Sequence, residues 1–126
     1  LLAEAAQVLT APKISALLAT GAMTEVEITA RLPELDGRKI HGTIDLLAVA
    51  PDRVLAVDYK SNTAIPDRPE DTPSGLLRQL GAYSAALAQI YPDRPVETAI
   101  FWTRTGQYMP FDPEIVRKAL QSTTIP

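Results

Sequence analysis

Cysteine is absent from this 126-residue sequence. Its absence excludes disulfides, zinc sites built from thiolates, and iron–sulfur clusters within the chain. A chain without disulfides suits the reducing cytosol, so we expect a cytoplasmic protein.

Long apolar runs are also missing. No stretch approaches the roughly 20 apolar residues that a membrane-spanning helix needs, and no charged-then-apolar leader resembles a secretory signal. We therefore expect no membrane association. At 46% hydrophobic residues the chain can build one core, which predicts a single domain over residues 1–126. Because the sequence begins at Leu1 rather than Met, we expect this domain to be a fragment of a larger protein.

The residues that are present alternate between helical and extended patterns. We predict helices at residues 1–9, 12–19, 75–90 and 113–120, the last capped by Asp112. We predict strands at 24–32, 96–103 and 107–111, and a β-hairpin within residues 42–62. Asp36-Gly37 predicts a tight turn, and residues 63–74 a surface loop. In the first strand, strict alternation places Glu25 and Glu27 on one face. The pattern predicts an α/β domain with a sheet flanked by helices: N-terminal helices at 1–20, a core at about 24–104, and a C-terminal hairpin and helix at 105–121.

The segment from Gly42 to Asn62 is the most informative, because charged residues interrupt two apolar strands. Pro51-Asp52 predicts a two-residue turn, in which Ala50 faces Arg53. That register sets Asp45 directly opposite Asp58, with Cβ atoms about 4.5–5.5 Å apart. Lys60 follows Asp58 by two residues and points to the same side. The sequence therefore predicts two carboxylates and one ammonium in close proximity.

Two neighbouring carboxylates repel each other unless a cation lies between them. A hard divalent ion such as Mg²⁺ prefers oxygen ligands and would resolve the conflict. The simpler alternative is a solvated hairpin on which Asp58 and Lys60 form an ion pair. We prefer a buried site, because both Asp residues interrupt apolar runs typical of strands covered on both faces.

Four spaced motifs together resemble a known family. Glu25, Gly42-x-x-Asp45, Asp58-Tyr59-Lys60 and Gln79-x-x-x-Tyr83 resemble the RecB-like branch of the PD-(D/E)XK nucleases. Phrases such as GTIDLLAV and VLAVDYKSN are similar to the C-terminal nuclease region of AddA-type helicase–nucleases of bacterial double-strand break repair. The resemblance covers roughly residues 24–120. It implies a restriction-endonuclease-like fold with a mixed central sheet, and hydrolysis of DNA phosphodiester bonds, with exonuclease activity expected.

The resemblance also implies a role for each motif residue. Asp45 and Asp58 would be metal ligands, with the backbone carbonyl of Tyr59 as a third donor, and Lys60 would be the catalytic lysine. Glu25 would help to hold a second ion or a water molecule, although a solvent-facing strand carboxylate is an equal alternative. The residues expected to contact DNA or to complete the site are Gln79, Tyr83, Arg78 and Arg104.

The expected cofactor is Mg²⁺, with Mn²⁺ as an acceptable substitute. The family's partners would be single-stranded DNA from an unwound duplex and an AddB-like subunit. ATP would bind only to motor domains outside this chain, which has no G-x-x-x-x-G-K-[ST] loop. Members of this branch usually carry a metal-binding histidine on an earlier helix, but the only histidine here is His41, which we expect to be structural.

Two other functions remain open. The domain could be an inert DNA-binding or docking module that keeps the nuclease fold, although it has retained Asp45, Asp58 and Lys60. It could also be a stand-alone structure-selective endonuclease, which predicts a dimer with a basic groove. The net charge of −3 favours neither a basic groove nor strong DNA binding by the chain alone.

Overall fold

The computed structural model describes residues 11–122. The described residues form three α-helices, five strands and two short 3₁₀ turns. The helices are α1 (Pro12–Ala19), α2 (Ser74–Ile90) and α3 (Pro113–Gln121). The strands are β1 (Met23–Leu32), β2 (Arg38–Val49), β3 (Val54–Lys60), β4 (Val96–Trp102) and β5 (Gln107–Phe111). Within this range, no helix is long and apolar enough to cross a membrane.

The strands form one mixed sheet in the order β1-β2-β3-β4-β5. The pairs β1–β2, β2–β3 and β4–β5 are antiparallel, whereas β3 and β4 are parallel. Two parallel neighbours need a crossover connection, and α2 provides it between β3 and β4. The predicted α/β class with a mixed central sheet flanked by helices is confirmed.

Helices cover both faces of the sheet. On one side, here called the α2 face, residues such as Ile44, Leu47 and Ala56 pack with Leu87 of α2 and Leu120 of α3. On the other side, the α1 face, Ile14 of α1 packs against side chains that include Leu46, Leu55, Val57 and Phe101. Because β3 is buried on both faces, its sequence VLAVDYK reads as a nearly continuous apolar run rather than a polar–apolar alternation.

The predicted register of the β2–β3 hairpin is confirmed. Leu46 pairs with Val57 and Val49 with Val54, and the amide of Ala50 donates to the carbonyl of Arg53 across the turn at 2.9 Å. The paired residues end at Leu46–Val57, and Asp45 and Asp58 are the next residues on the two strands. The short turn fixes the register, since a slip of one residue would turn every buried side chain to the wrong face.

The close approach of α2 and α3 depends on Gly81. A Cβ at this position would collide with the backbone carbonyl of Val116 and would lie 3.0 Å from the Cβ of Leu120. Asp112 caps α3 as predicted, because its carboxylate accepts a hydrogen bond from the amide of Glu114 at 2.8 Å.

Other predictions differ from the structure in detail. The predicted helix at residues 1–9 lies outside the described residues. The predicted loop at 63–74 contains a 3₁₀ turn at Pro69–Asp71. Strict alternation along β1 is wrong at Glu25, which has a left-handed backbone conformation with φ of 53°. A non-glycine residue rarely adopts this conformation, so sequence pattern alone does not signal it.

Candidate functional site

Asp58 and Lys60 form an ion pair near the end of β3, in which Asp58 is buried and Lys60 is partly exposed. Their side chains share the α2 face, and Lys60 Nζ lies 3.0 Å from Asp58 Oδ2. Asp58 is only 5% exposed, whereas the Lys60 side chain is 23% exposed. The contact lacks the alignment of a hydrogen bond, so within the described part of the chain Asp58 Oδ2 has no hydrogen-bond donor. This carboxylate is therefore charged, buried and incompletely satisfied.

Burial raises the pKa of Asp58 to about 6, because desolvation disfavours the ionised form. The ammonium of Lys60 opposes this rise, whereas the nearby carboxylate of Asp45 adds to it. The pKa of Asp58 rises because its side chain is buried and because Asp45 lies close to it. At neutral pH, ionised Asp58 destabilises the fold. A cation bound between the two carboxylates would stabilise the ionised form and offset this cost.

Asp45 is half-buried on β2 and reaches across to β3. Its Oδ2 accepts a hydrogen bond from the backbone amide of Tyr59 at 2.7 Å. That bond orients the carboxylate beside Asp58, as the hairpin register predicts. The Tyr59 amide thus gives Asp45 a hydrogen-bond donor, whereas Asp58 Oδ2 still lacks one.

Tyr83 on α2 connects this pair of strands to the helix. Its hydroxyl donates to the carbonyl of Thr43 at 3.2 Å and accepts from Gln79 Nε2 at 3.0 Å. Burial raises the pKa of Tyr83, so its hydroxyl stays protonated and can donate at neutral pH. The charges of Asp58, Lys60 and Asp45 also act on this hydroxyl, which places the Gln79–Tyr83 pair beside the carboxylates.

Gly42 makes room for the tyrosine ring. A Cβ at this position would lie 2.9 Å from Tyr83 Cε1 and 3.0 Å from its hydroxyl. Sequence analysis quoted Gly42 within a motif but assigned it no role. A glycine inside a strand is the signal that could have indicated a close approach, because it commonly marks a site where another group contacts the backbone.

The chain beyond Lys60 is held by the residues that follow β4. Both the amide and the hydroxyl of Thr103 donate to the carbonyl of Lys60, at 2.8 and 3.2 Å. Next to it, Arg104 Nε donates to the carbonyl of Ser61 at 2.7 Å. Arg104 is exposed, and this bond holds its side chain beside the residue that follows β3. Sequence analysis missed Thr103, and no feature of its local sequence indicates this contact.

The remaining predicted residues lie on β1 and on α2. Glu25 and Glu27 are exposed on β1, and Arg78 is half-buried on the first turns of α2. Among residues 11–122, no group of three or more His, Cys, Asp or Glu side chains is placed to hold a metal ion. The structure thus brings Asp45, Asp58, Lys60, Gln79 and Tyr83 together but does not join the Glu25 carboxylate to them. His41 is exposed, and its Nδ1 lies 3.2 Å from the hydroxyl of Thr29.

The donor set fits a hard divalent cation. Two carboxylates from adjacent strands face one another, and Asp58 presents a buried oxygen that lacks an aligned donor. Carboxylate oxygens are the ligands that Mg²⁺ prefers, and this ion commonly binds through one or two carboxylates while it keeps several waters. A third protein side chain is therefore not required.

Comparison with known proteins places the fold. No curated protein matches the sequence significantly. A crystal structure of a candidate exonuclease from Eubacterium rectale has a TM-score of 0.63 at 16% identity, covering 93% of this chain and 47% of that one. The structure of SSO0001 has a TM-score of 0.46 at 16% identity, covering 85% of this chain and 52% of that one. The chain thus spans about half the length of the solved structures that it resembles.

The first of these likenesses shows a restriction-endonuclease-like fold. The sequence itself matches the PD-(D/E)XK nuclease superfamily over residues 2–124, which include every element around Asp45 and Asp58. Members of that superfamily generally use divalent metal ions. Since the match extends over nearly the whole sequence, the chain belongs to the PD-(D/E)XK nuclease superfamily.

Proposed function

We propose that this domain is a metal-dependent deoxyribonuclease that hydrolyses phosphodiester bonds of DNA strands. The single observation that carries the proposal is Asp58, a charged side chain that is 5% exposed, lies beside a second carboxylate, and lacks an aligned donor. A purely structural Asp58–Lys60 ion pair would leave no reason to place a second carboxylate, Asp45, beside the buried Asp58, because like charges in a desolvated site destabilise the fold.

The metal ligands in this proposal are Asp45 and Asp58, with the backbone carbonyl of Tyr59 as a third donor. A bound Mg²⁺ ion, or Mn²⁺ in its place, would supply electrostatic stabilisation of the phosphate and a more acidic water. Lys60 keeps its ammonium partly exposed, so it can donate a hydrogen bond to a phosphate oxygen or orient a water that enters the site. Tyr83 and Gln79 support the strand that carries Asp45 through the carbonyl of Thr43.

The substrate contacts should be to the DNA backbone rather than to the bases. Arg78 on α2 and Arg104 after β4 are the proposed phosphate partners, together with Lys60. A net charge of −3 predicts weak binding of DNA by the isolated domain, because few positive charges are available to displace counterions.

The wider context follows from the resemblance to AddA-type helicase–nucleases. In that context the domain would receive single strands from an attached ATP-driven helicase, work beside an AddB-like subunit, and process double-strand breaks for recombinational repair in the cytoplasm. Exonuclease action would follow from delivery of strand ends by the motor.

The test combines metal binding with DNA cleavage. Mn²⁺ titration by calorimetry, and cleavage of labelled single-stranded DNA with Mg²⁺ or Mn²⁺, should be compared for the wild type, Asp58→Ala, Asp45→Asn and Lys60→Met. We expect both Asp variants to lose metal binding and cleavage. Lys60→Met should bind metal but lose cleavage by a factor of about 10² or more, as expected for a group that stabilises developing charge.

Asp52→Asn, in the exposed turn of the same hairpin, is the matched control and should behave as the wild type. Equal Mn²⁺ affinity for Asp58→Ala and the wild type would contradict the proposed ligand. Retained DNA binding without cleavage by the wild type would favour the inert module, and cleavage confined to branched DNA would favour a structure-selective endonuclease.

A further inference from the structure

The alternation of β1 and β2 is interrupted at the same level of the sheet. Ile44 packs on the α2 face and Leu46 on the α1 face, although residues two apart in a strand normally share a face. Val26, which pairs with Ile44, also packs on the α2 face, whereas Thr24 pairs with Leu46. Both strands therefore change face between these pairs, at Glu25 in β1 and at Asp45 in β2.

The change of face occurs without a change of register. The pairs Thr24–Leu46 and Val26–Ile44 belong to one continuous antiparallel register, so neither strand contains an inserted residue. An ordinary β-bulge would place two residues of one strand opposite one of the other. Here Glu25 and Asp45 occupy facing positions, and the irregularity comes from backbone conformation alone.

Glu25 provides that conformation. Its φ of 53° lies in the left-handed region, which is unfavourable for a residue with a Cβ. Such a residue persists only when its surroundings hold it, and it concentrates at functional sites. The residues on either side of it, Thr24 and Val26, are both paired with β2.

The change of face decides where Asp45 points. Leu47, two residues further along β2, packs on the α2 face, which is also the face of Asp58 and Lys60. Asp45 is two residues from Leu47, so alternation puts both side chains on the α2 face. Asp45 is one residue from Ile44, so unbroken alternation from Ile44 would put Asp45 on the α1 face, away from Asp58. The interruption allows Ile44 to stay in the core while Asp45 bonds to the Tyr59 amide.

We infer that Glu25 is a positioning residue, which acts through its left-handed backbone to aim the Asp45 carboxylate at Asp58 rather than through its own carboxylate. The side chain is exposed, and no cluster of three acidic or histidine side chains forms within residues 11–122. Aiming Asp45 at Asp58 matters for catalysis only if the two carboxylates bind a metal ion, so the inference rests on the proposed function. It takes the place of the direct metal or water contact that the family resemblance implies for Glu25.

Three substitutions separate the backbone from the carboxylate. Glu25→Gly and Glu25→Val both remove the carboxylate, but glycine adopts the left-handed conformation freely and valine resists it most. Glu25→Gln removes the charge and keeps the shape. We expect Glu25→Val to bind Mn²⁺ at least about tenfold more weakly than Glu25→Gly, which corresponds to the cost of a left-handed residue. Glu25→Gln, which has the backbone preference of glutamate, should bind Mn²⁺ about as well as the wild type.

A second readout needs neither metal nor DNA. In the metal-free protein, hydrogen exchange of the Tyr59 amide reports its bond to Asp45 Oδ2 at 2.7 Å. The Val54 amide, which donates to the Pro95 carbonyl at 2.9 Å in the same strand, is the internal control. Glu25→Val should speed exchange at Tyr59 about tenfold more than at Val54, whereas Glu25→Gly should change the two amides equally. Glu25→Ala is the milder substitute if the valine variant does not fold.

Two results would overturn the inference. Equal loss of Mn²⁺ affinity in the Gly, Val and Gln variants would show that the carboxylate itself binds. A valine variant that loses thermal stability but keeps both its Mn²⁺ affinity and the wild-type exchange ratio of Tyr59 to Val54 would show a merely structural role. If the wild type neither binds Mn²⁺ nor cleaves DNA, the proposed function fails, and the exchange ratio still decides the role of Glu25.

Discussion

Asp58→Asn should make the metal-free protein more stable at neutral pH. Ionised Asp58 is buried, and its pKa in the folded protein is raised from 3.8 to about 6. Below about pH 4 the carboxyl is protonated in both the folded and the unfolded chain, so the shift has no effect. Between about pH 4 and 6 the folded protein keeps a proton that the unfolded chain has lost, and stability therefore falls as pH rises.

The magnitude follows from the size of the shift. Each pKa unit corresponds to about 1.4 kcal/mol, so the full penalty above pH 7 is about 3 kcal/mol. Asparagine cannot ionise and removes that penalty. Lys60, which loses its partner, is 23% exposed and can turn to water. With an unfolding entropy of about 2.1 cal/mol/K per residue, a gain of about 3 kcal/mol raises the melting temperature by roughly 10 °C.

The assay is thermal and urea unfolding of the wild type and Asp58→Asn from pH 4 to pH 8 in EDTA. The two proteins should be equally stable near pH 4 and diverge progressively towards pH 7. Asp67→Asn, which removes an exposed carboxylate from the loop before α2, is the control and should show no such divergence. A stability difference that is absent at pH 8, or constant with pH, would refute the burial argument.

A bound metal ion should remove most of this stability difference. A cation that binds only the folded wild type stabilises it by about 2.7 kcal/mol at a concentration one hundred times its dissociation constant. Asp58→Asn lacks one of the two proposed ligands and should gain far less. Saturating Mn²⁺ should therefore remove most of the stability difference between the wild type and Asp58→Asn at pH 8. This result would distinguish a metal ligand from a buried carboxylate that binds no ion.

Three further substitutions test how the fold supports the site. Gly42→Ala should displace the ring of Tyr83, whose nearest atom would lie 2.9 Å from the new Cβ. We expect cleavage rates to fall at least about tenfold, and urea unfolding to show a modest loss of stability. Gly81→Ala should destabilise the protein by about 1–3 kcal/mol or more, because the new Cβ forces α2 away from α3. Gly75→Ala, in the open first turn of α2, should be neutral or stabilising by up to about 1 kcal/mol. Equal effects of the two substitutions in urea unfolding would contradict the close contact between the helices. Asp112→Ala should cost about 1 kcal/mol through loss of the α3 cap and leave the metal affinity unchanged, and calorimetry of the folded variant checks both.

The hairpin shows why part of the site could be predicted. Its register depends on a two-residue turn and on the alternation of apolar residues in β3, both of which are local properties of the sequence. The prediction that Asp45 lies opposite Asp58, with Lys60 on the same side, therefore needed no knowledge of the rest of the fold. The i, i+4 spacing of Gln79 and Tyr83 likewise places both on one side of α2.

Other features of the site depend on contacts between distant segments. The hydroxyl of Tyr83 reaches the carbonyl of Thr43, forty residues earlier, only because the α2 crossover packs the helix against β2. Thr103 holds the carbonyl of Lys60 only because β4 runs parallel to β3. Neither pairing leaves a periodic signal in the sequence, since each partner is chosen by the packing of whole elements.

Sequence alone determined the elements, the hairpin register and the types of charged side chain that meet on it, because these follow from short-range spacing and from the cost of burying charge. Tertiary structure decided how deeply Asp58 is buried and therefore how far its pKa rises. It also decided that Glu25, a residue with no intrinsic preference for a left-handed backbone, adopts one opposite Asp45. Burial and strain are imposed by the surrounding chain, and for that reason they appear only when the strands and helices are packed together.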